Sequence, residues 1–129
     1  MKPLSIGNVK LKNRLFLAPM VEVTDLPYRL ICRKQGAGMA YTEMLNIGAI
    51  LHTNTKTQNM LKISSDDKPS GVQITAPKVE EFKKVVPYIK DFDVVDINCG
   101  CPSVRTTDNA SGSYLLKTPH KIASYIRVL

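Results

Sequence analysis

Between Asp93 and Pro102 the chain reads Asp93-Val94-Val95-Asp96-Ile97-Asn98-Cys99-Gly100-Cys101-Pro102. A β-branched run ends in a carboxamide and two thiols, and the Gly and Pro stop it. The thiol of Cys101 can serve as an acid or a nucleophile. The Asn98 amide both donates and accepts, as the imide edge of a heterocycle requires. Gln73, inside the apolar run Gly71-Val72-Gln73-Ile74, offers the same pairing. It is costly there unless hydrogen-bonded, so a ligand contact and a structural bond are equally open to it. Asn98 could equally close a turn on its own backbone. Pro19 and Met20 form a rigid apolar shelf or simply a turn with core packing. Glu43 reads as a candidate buried carboxylate paired with an Arg or with backbone amides. Cys99 and Cys101 are a poor zinc pair: the spacing is short for a zinc motif and two further ligands lack a suitable spacing, so no metal site is expected. His52 and His120 read as surface histidines and Cys32 as a core residue.

These groups must be held by elements that the pattern also predicts. Leu4 to Leu11 alternate around Gly7-Asn8 and read as a hairpin. Buried strands are expected at Leu15 to Ala18, Met39 to Thr42 with Glu43 at its end, Gly71 to Ile74, and Val94 to Ile97. Helices are expected from Leu26 to Gln35, capped by Thr24 or Asp25 and closed by Gly36, and over Ile47 to Leu61. Ser64 to Lys68 reads as a loop. Pro77 opens a helix whose apolar stripe is Val79, Phe82, Val85, Val86 and Ile89. A polar loop runs to Gly112, and Thr118-Pro119 cap and start a last helix.

Strands alternating with helices imply right-handed βαβ units and a parallel α/β sheet. Four units fit an open doubly wound sheet or half of a (β/α)8 barrel, which needs about 250 residues when complete. No G-x-G-x-x-G follows the first strand, which weighs against a dinucleotide-binding domain. In either architecture the ends of the strands share one edge, where ligands bind.

The 129 residues have the length of one domain, and 43% are hydrophobic. No apolar run approaches the roughly 20 residues that cross a bilayer, and Met1 to Ser5 lack the apolar stretch of a secretory signal; a cytoplasmic location is expected. Three cysteines form no disulfide framework. The net charge of +7 favours an anionic partner, or marks no more than a solvated basic surface.

Several blocks together resemble the tRNA-dihydrouridine synthases: Ala18-Pro19-Met20-Val21-Glu22-Val23-Thr24-Asp25-Leu26-Pro27-Tyr28-Arg29, Gly36-Ala37-Gly38, Thr42-Glu43-Met44, Val72-Gln73-Ile74, Asp96-Ile97-Asn98-Cys99-Gly100-Cys101-Pro102, and Gly112 with Leu115-Leu116. The resemblance implies an FMN-binding TIM barrel followed by a helical RNA-binding domain. Residues 1–129 would hold β/α units 1 to 4, the first half of that barrel, and a complementary C-terminal half would be needed to close it. It implies that uridine in tRNA is reduced to 5,6-dihydrouridine, with NADPH as reductant of the flavin. By the same resemblance Cys101 is the general acid, and Pro19, Met20, Val21 and Gln73 hold the flavin. Asn98 and Arg105 would touch the substrate.

The chain departs from the family pattern at three places. Arg105 stands where the family usually has Lys, Cys99 where Met is common, and Thr106 to Ser111 replace a glycine-rich stretch. Two other readings stay open. One is a dihydroorotate- or dihydropyrimidine-type flavin dehydrogenase, against which Thr24 to Arg29 argue. The other is a half-barrel that binds RNA or a partner without catalysis.

Overall fold

The computed structural model describes residues 4–129. The reading of Met1, Lys2 and Pro3 as lacking a signal segment lies outside the described residues. Four parallel strands form one open sheet, preceded by a two-stranded antiparallel hairpin, β1 (Ser5–Ile6) and β2 (Val9–Lys10). Gly7, at φ 54°, makes the hairpin turn. The parallel strands are β3 (Phe16–Leu17), β4 (Met39–Asn46), β5 (Ser70–Thr75) and β6 (Val94–Ile97). Spatial order follows chain order, as in consecutive βαβ units, so the fold is the expected α/β type.

Between the strands run α1 (Leu26–Lys34), α2 (Ile47–Leu51), α3 (Thr55–Met60) and α4 (Val79–Ile89). A short α5 (Val104–Thr107) and a final α6 (Pro119–Val128) follow β6. Asp25 caps α1, accepting the Tyr28 N–H at 2.9 Å. One face of the sheet packs on these helices. Val72 and Ile74 of β5 and Leu45 of β4 meet Ile47, Ile50, Phe82, Val85, Ile89, Leu115 and Tyr125 in one buried cluster. The α4 stripe is therefore real, with Phe82, Val85 and Ile89 buried and Val79 and Val86 half-buried. Tyr125 of α6 stacks on Phe82 with centroids 4.1 Å apart and bonds the Pro77 carbonyl through its hydroxyl at 3.0 Å. On the other face, Tyr41 covers Gly71, where a Cβ would come within 2.3 Å of the Tyr41 ring.

Several boundaries differ from expectation. β4 continues past Glu43 to Asn46, with a register irregularity between Tyr41 and Met44. The expected helix over 47–61 is two, because Thr53 takes φ 51° and breaks it. The loop at 64–68 contains a 3-10 turn at Ser65–Asp67, and the polar loop before Gly112 contains α5. Thr118 begins α6 but makes no side-chain cap; its hydroxyl turns back to the Leu115 carbonyl. Cys32 is half-buried rather than core. No helix among the described residues is long and apolar enough to cross a membrane.

Candidate functional site at the ends of β5 and β6

In the parallel register, Gln73 lies directly beside Asp96. Asn98 follows Asp96 by two residues and so shares its face. This parity lines up one chain of hydrogen bonds. Gln73 Nε2 donates to Asp96 Oδ2 at 2.6 Å, Asn98 Nδ2 donates to Gln73 Oε1 at 2.9 Å, and the Cys101 backbone N–H donates to Asn98 Oδ1 at 3.0 Å. The Cys101 thiol in turn donates to Thr106 Oγ1 at 3.6 Å. Gln73 is buried, and Asn98 and Cys101 are half-buried. Asn98 thus closes a turn on the backbone and joins Gln73 at once. Each carboxamide keeps one N–H and one lone pair free of these bonds.

The loop after β6 is fixed at a second point. Gly112 takes φ 61°, and a Cβ there would lie 2.5 Å from the Cys101 carbonyl oxygen and 2.7 Å from the Thr106 methyl carbon. The Ser113 N–H donates to that same carbonyl at 3.0 Å. Cys101 is therefore clamped between Asn98 and the Gly112 turn. Cys99 faces the other way, packed against the helical core. Burial pushes its thiol up, and the Asp96 charge adds to this. Burial, then Asp96, likewise raises the Tyr41 hydroxyl.

At the opposite side of the same edge, the loop after β3 carries Pro19, Met20 and Val21. Met20 and Val21 are exposed, and Pro19 is half-buried. Thr24 holds Met20 twice: its hydroxyl accepts from the Met20 N–H at 3.0 Å and donates to the Met20 carbonyl at 3.1 Å. Glu43 accepts the backbone N–H of Glu22, a residue held at φ 63°, so the loop is also tied to β4. Of the two partners considered for Glu43, backbone amides are the one observed. Met20 does not join the hydrogen-bonded chain. The strand before it, β3, lies two places from β5, which carries Gln73.

The Thr24-Asp25-Leu26-Pro27-Tyr28-Arg29 block turns out to be scaffold. Arg29, 1% exposed, bonds Asp67 at 2.9 Å, the Thr24 carbonyl at 3.1 Å and the Lys62 carbonyl at 2.9 Å. Arg105 is exposed on α5, with no side-chain bond among those of the described residues. His52 and His120 are exposed. A cavity of about 300 Å³ lies elsewhere, at the C-terminal end of α1, lined by Lys12, Leu30, Arg33, Lys34 and Asp66 among others. Arg33 there is spent on the Ala37 and Lys68 carbonyls. Asp96, Thr106 and the Gly112 clamp are the parts of the site that spacing did not reveal. For Asp96 the signal was present in its two-residue offset from Asn98.

Parallel strands that deliver a clamped thiol and two linked carboxamides to one edge define an α/β protein with a candidate site at the strand ends. The family model for dihydrouridine synthase (Dus) matches residues 16–129. The chain belongs to the dihydrouridine synthase family. It is 33% identical over 128 residues to tRNA-dihydrouridine synthase B of Vibrio cholerae, covering 98% of this chain and 40% of that protein. It is 34% identical over 128 residues to tRNA-dihydrouridine synthase B of Pseudomonas aeruginosa, covering 98% and 39%. A probable tRNA-dihydrouridine synthase of Helicobacter pylori is 33% identical over 123 residues, with 93% and 38% covered. The chain thus spans about two fifths of the length of these relatives.

Proposed function

We propose that the protein reduces uridine in tRNA to 5,6-dihydrouridine, and that residues 1–129 contribute the first four β/α units of a TIM barrel to that work. A complementary half barrel and a helical RNA-binding domain would complete it. The observation that carries this reading is the bonded chain Asp96–Gln73–Asn98–Cys101 at the strand ends. It lies within the part of the chain that matches the family.

The donor set fits a flavin. Gln73 retains one N–H and one acceptor lone pair, the pattern that complements a pyrimidine-type imide edge. The exposed apolar Met20 and Val21, next to Pro19, suit the flat face of a ring system. When bound, FMN reduced by NADPH supplies the hydride for C6 of the uracil. Cys101 delivers the proton to C5. The clamp from Asn98 and the Gly112 turn holds its backbone still while it does so. Asn98 uses its remaining N–H and lone pair on the target base. Arg105, exposed and always charged, takes an RNA phosphate.

Family membership favours this reading over a dehydrogenase of free pyrimidines. The test is a substrate panel. The protein at its natural length, supplied with FMN and NADPH, is offered unmodified tRNA, uridine, uracil and orotate. Loss of uridine from tRNA alone is expected. Reduction of the free pyrimidines, with tRNA untouched, would refute the proposal. Binding of tRNA with no reduction of any substrate would favour the non-catalytic reading.

A further inference from the structure

The amides of Gln73 and Asn98 can recognise a heterocycle only if each presents its oxygen and nitrogen the right way round. Either carboxamide could rotate by half a turn at little steric cost. Two groups in this structure forbid that. The backbone N–H of Cys101 can only donate, so it requires Asn98 Oδ1 to face it, at 3.0 Å. The carboxylate of Asp96 accepts, so it requires Gln73 Nε2 to face it, at 2.6 Å. The remaining contact, Asn98 Nδ2 to Gln73 Oε1 at 2.9 Å, then falls into place with one donor and one acceptor. A flipped Gln73 would set its oxygen against a carboxylate and its NH2 against the NH2 of Asn98.

The two anchors are unequal. The Cys101 end is a neutral backbone bond within a turn. The Asp96 end is charge-assisted, a class roughly twice as strong as a neutral bond, and it joins neighbouring strands whose register is fixed by the ladder. Removal of Asp96 leaves Gln73, 7% exposed, with a donor unpaired and its amide free to turn.

We infer that Asp96 is a positioning residue: its carboxylate sets the polarity of the Gln73 and Asn98 amides, and so the hydrogen-bond pattern these two residues offer to the heterocycles at the strand ends. The inference rests on the proposed function only for the identity of those heterocycles. The polarity itself is a property of the protein.

The experiment reads that polarity without cofactor or tRNA. The side-chain NH2 resonances of Gln73 and Asn98 are assigned in 15N-labelled protein and followed in Asp96→Asn and Asp96→Leu. In the unaltered protein both pairs of resonances should be displaced from free-amide positions and protected from hydrogen exchange. Asp96→Leu should lose the displacement and protection of the Gln73 pair, and reduce those of Asn98, while backbone resonances of α1 and α6 stay in place. Asp96→Asn lacks the charge and can turn its oxygen or its NH2 towards Gln73, so it should lose part of the displacement and protection of the Gln73 pair. If Asp96→Leu leaves the Gln73 amide displaced and protected, the inference is wrong. It is also wrong if Asp96→Asn, folded, keeps the Gln73 pair as displaced and as protected as in the unaltered protein, and that outcome is decisive even where the leucine variant fails to fold. Flavin binding is measured separately on the unaltered protein. Its failure would count against the proposed function and leave the amide result intact.

Discussion

Replacing Arg29 by Met should cost about 3–5 kcal/mol, the range for removing one partner of a buried ion pair. Arg29 and Asp67 have side chains 1% and 0% exposed, so the pair lies out of contact with solvent. Asp67 is already under-satisfied, since its Oδ1 has no partner among the described residues. Burial pushes its carboxyl above the ordinary range even with Arg29 beside it, the guanidinium only partly opposing this. Without Arg29, two carbonyls, those of Thr24 and Lys62, lose their donor as well. For a domain of this size, the loss corresponds to a Tm lowered by about 12–20 °C. The assay is urea denaturation of the parent, Arg29→Met, Asp67→Leu and the double variant at several pH values. A carboxyl whose native pKa is raised is favoured in the fold at low pH, and that advantage fades as pH rises through the native value. The Arg29→Met deficit should therefore shrink on acidification, and the double variant should recover much of it. A loss below about 1 kcal/mol at neutral pH, or a double variant worse than the sum of the singles, would refute the buried-pair reasoning.

Gly112→Ala adds a clash with the Cys101 carbonyl to the strain of a left-handed residue and should cost about 2–4 kcal/mol. Gly36→Ala meets no atom of the described residues within 4 Å at φ 105° and should lose conformational energy alone, so equal losses in denaturation would contradict the clamp. Burial pushes the Asp93 carboxyl up, but the Ser70 N–H and hydroxyl and the Lys68 ammonium outweigh it and hold it low. Its contribution is therefore present above the usual carboxylate value of about 3.9 and is lost as pH falls from there through the native value. Thermal melts between pH 5 and pH 2 should show a shallower acid decline for Asp93→Asn. Cys99, raised first by burial and then by Asp96, should react with iodoacetamide only at more alkaline pH than a free thiol. Asp96→Asn should shift that profile towards lower pH, which peptide mapping by mass spectrometry would detect.

The sequence announced the strands by their β-branched runs and the site by what followed them. Val94 to Ile97 could be read as a strand because Gly100 and Pro102 stop it, and its order in the sheet followed from the alternation of elements. The extent of β4 was hidden because Met44 and Leu45 continue an apolar run beyond a charged residue, and only pairing with β5 shows that Glu43 lies within the strand. Arg29 could not be recognised as buried, since Asp67 lies 38 residues away and no local spacing links them. Asp96 had the offset from Asn98 that places both on one face, but its bond to Gln73 depends on inter-strand register. Thr106 reaches the thiol only because α5 begins at Val104, inside what reads as a polar loop. The helix break at Thr53 carries no glycine or proline to mark it.

The proposed chemistry depends above all on which cysteine serves the strand-end site. Formation of dihydrouridine in unmodified tRNA should be measured side by side for the protein at its natural length and for its Cys101→Ala and Cys99→Ala variants. Loss of a general acid costs about 10²–10⁴-fold in rate, so Cys101→Ala should fall by that factor while Cys99→Ala stays within a few-fold of the parent. Full activity in Cys101→Ala, or a collapse confined to Cys99→Ala, would contradict the assignment.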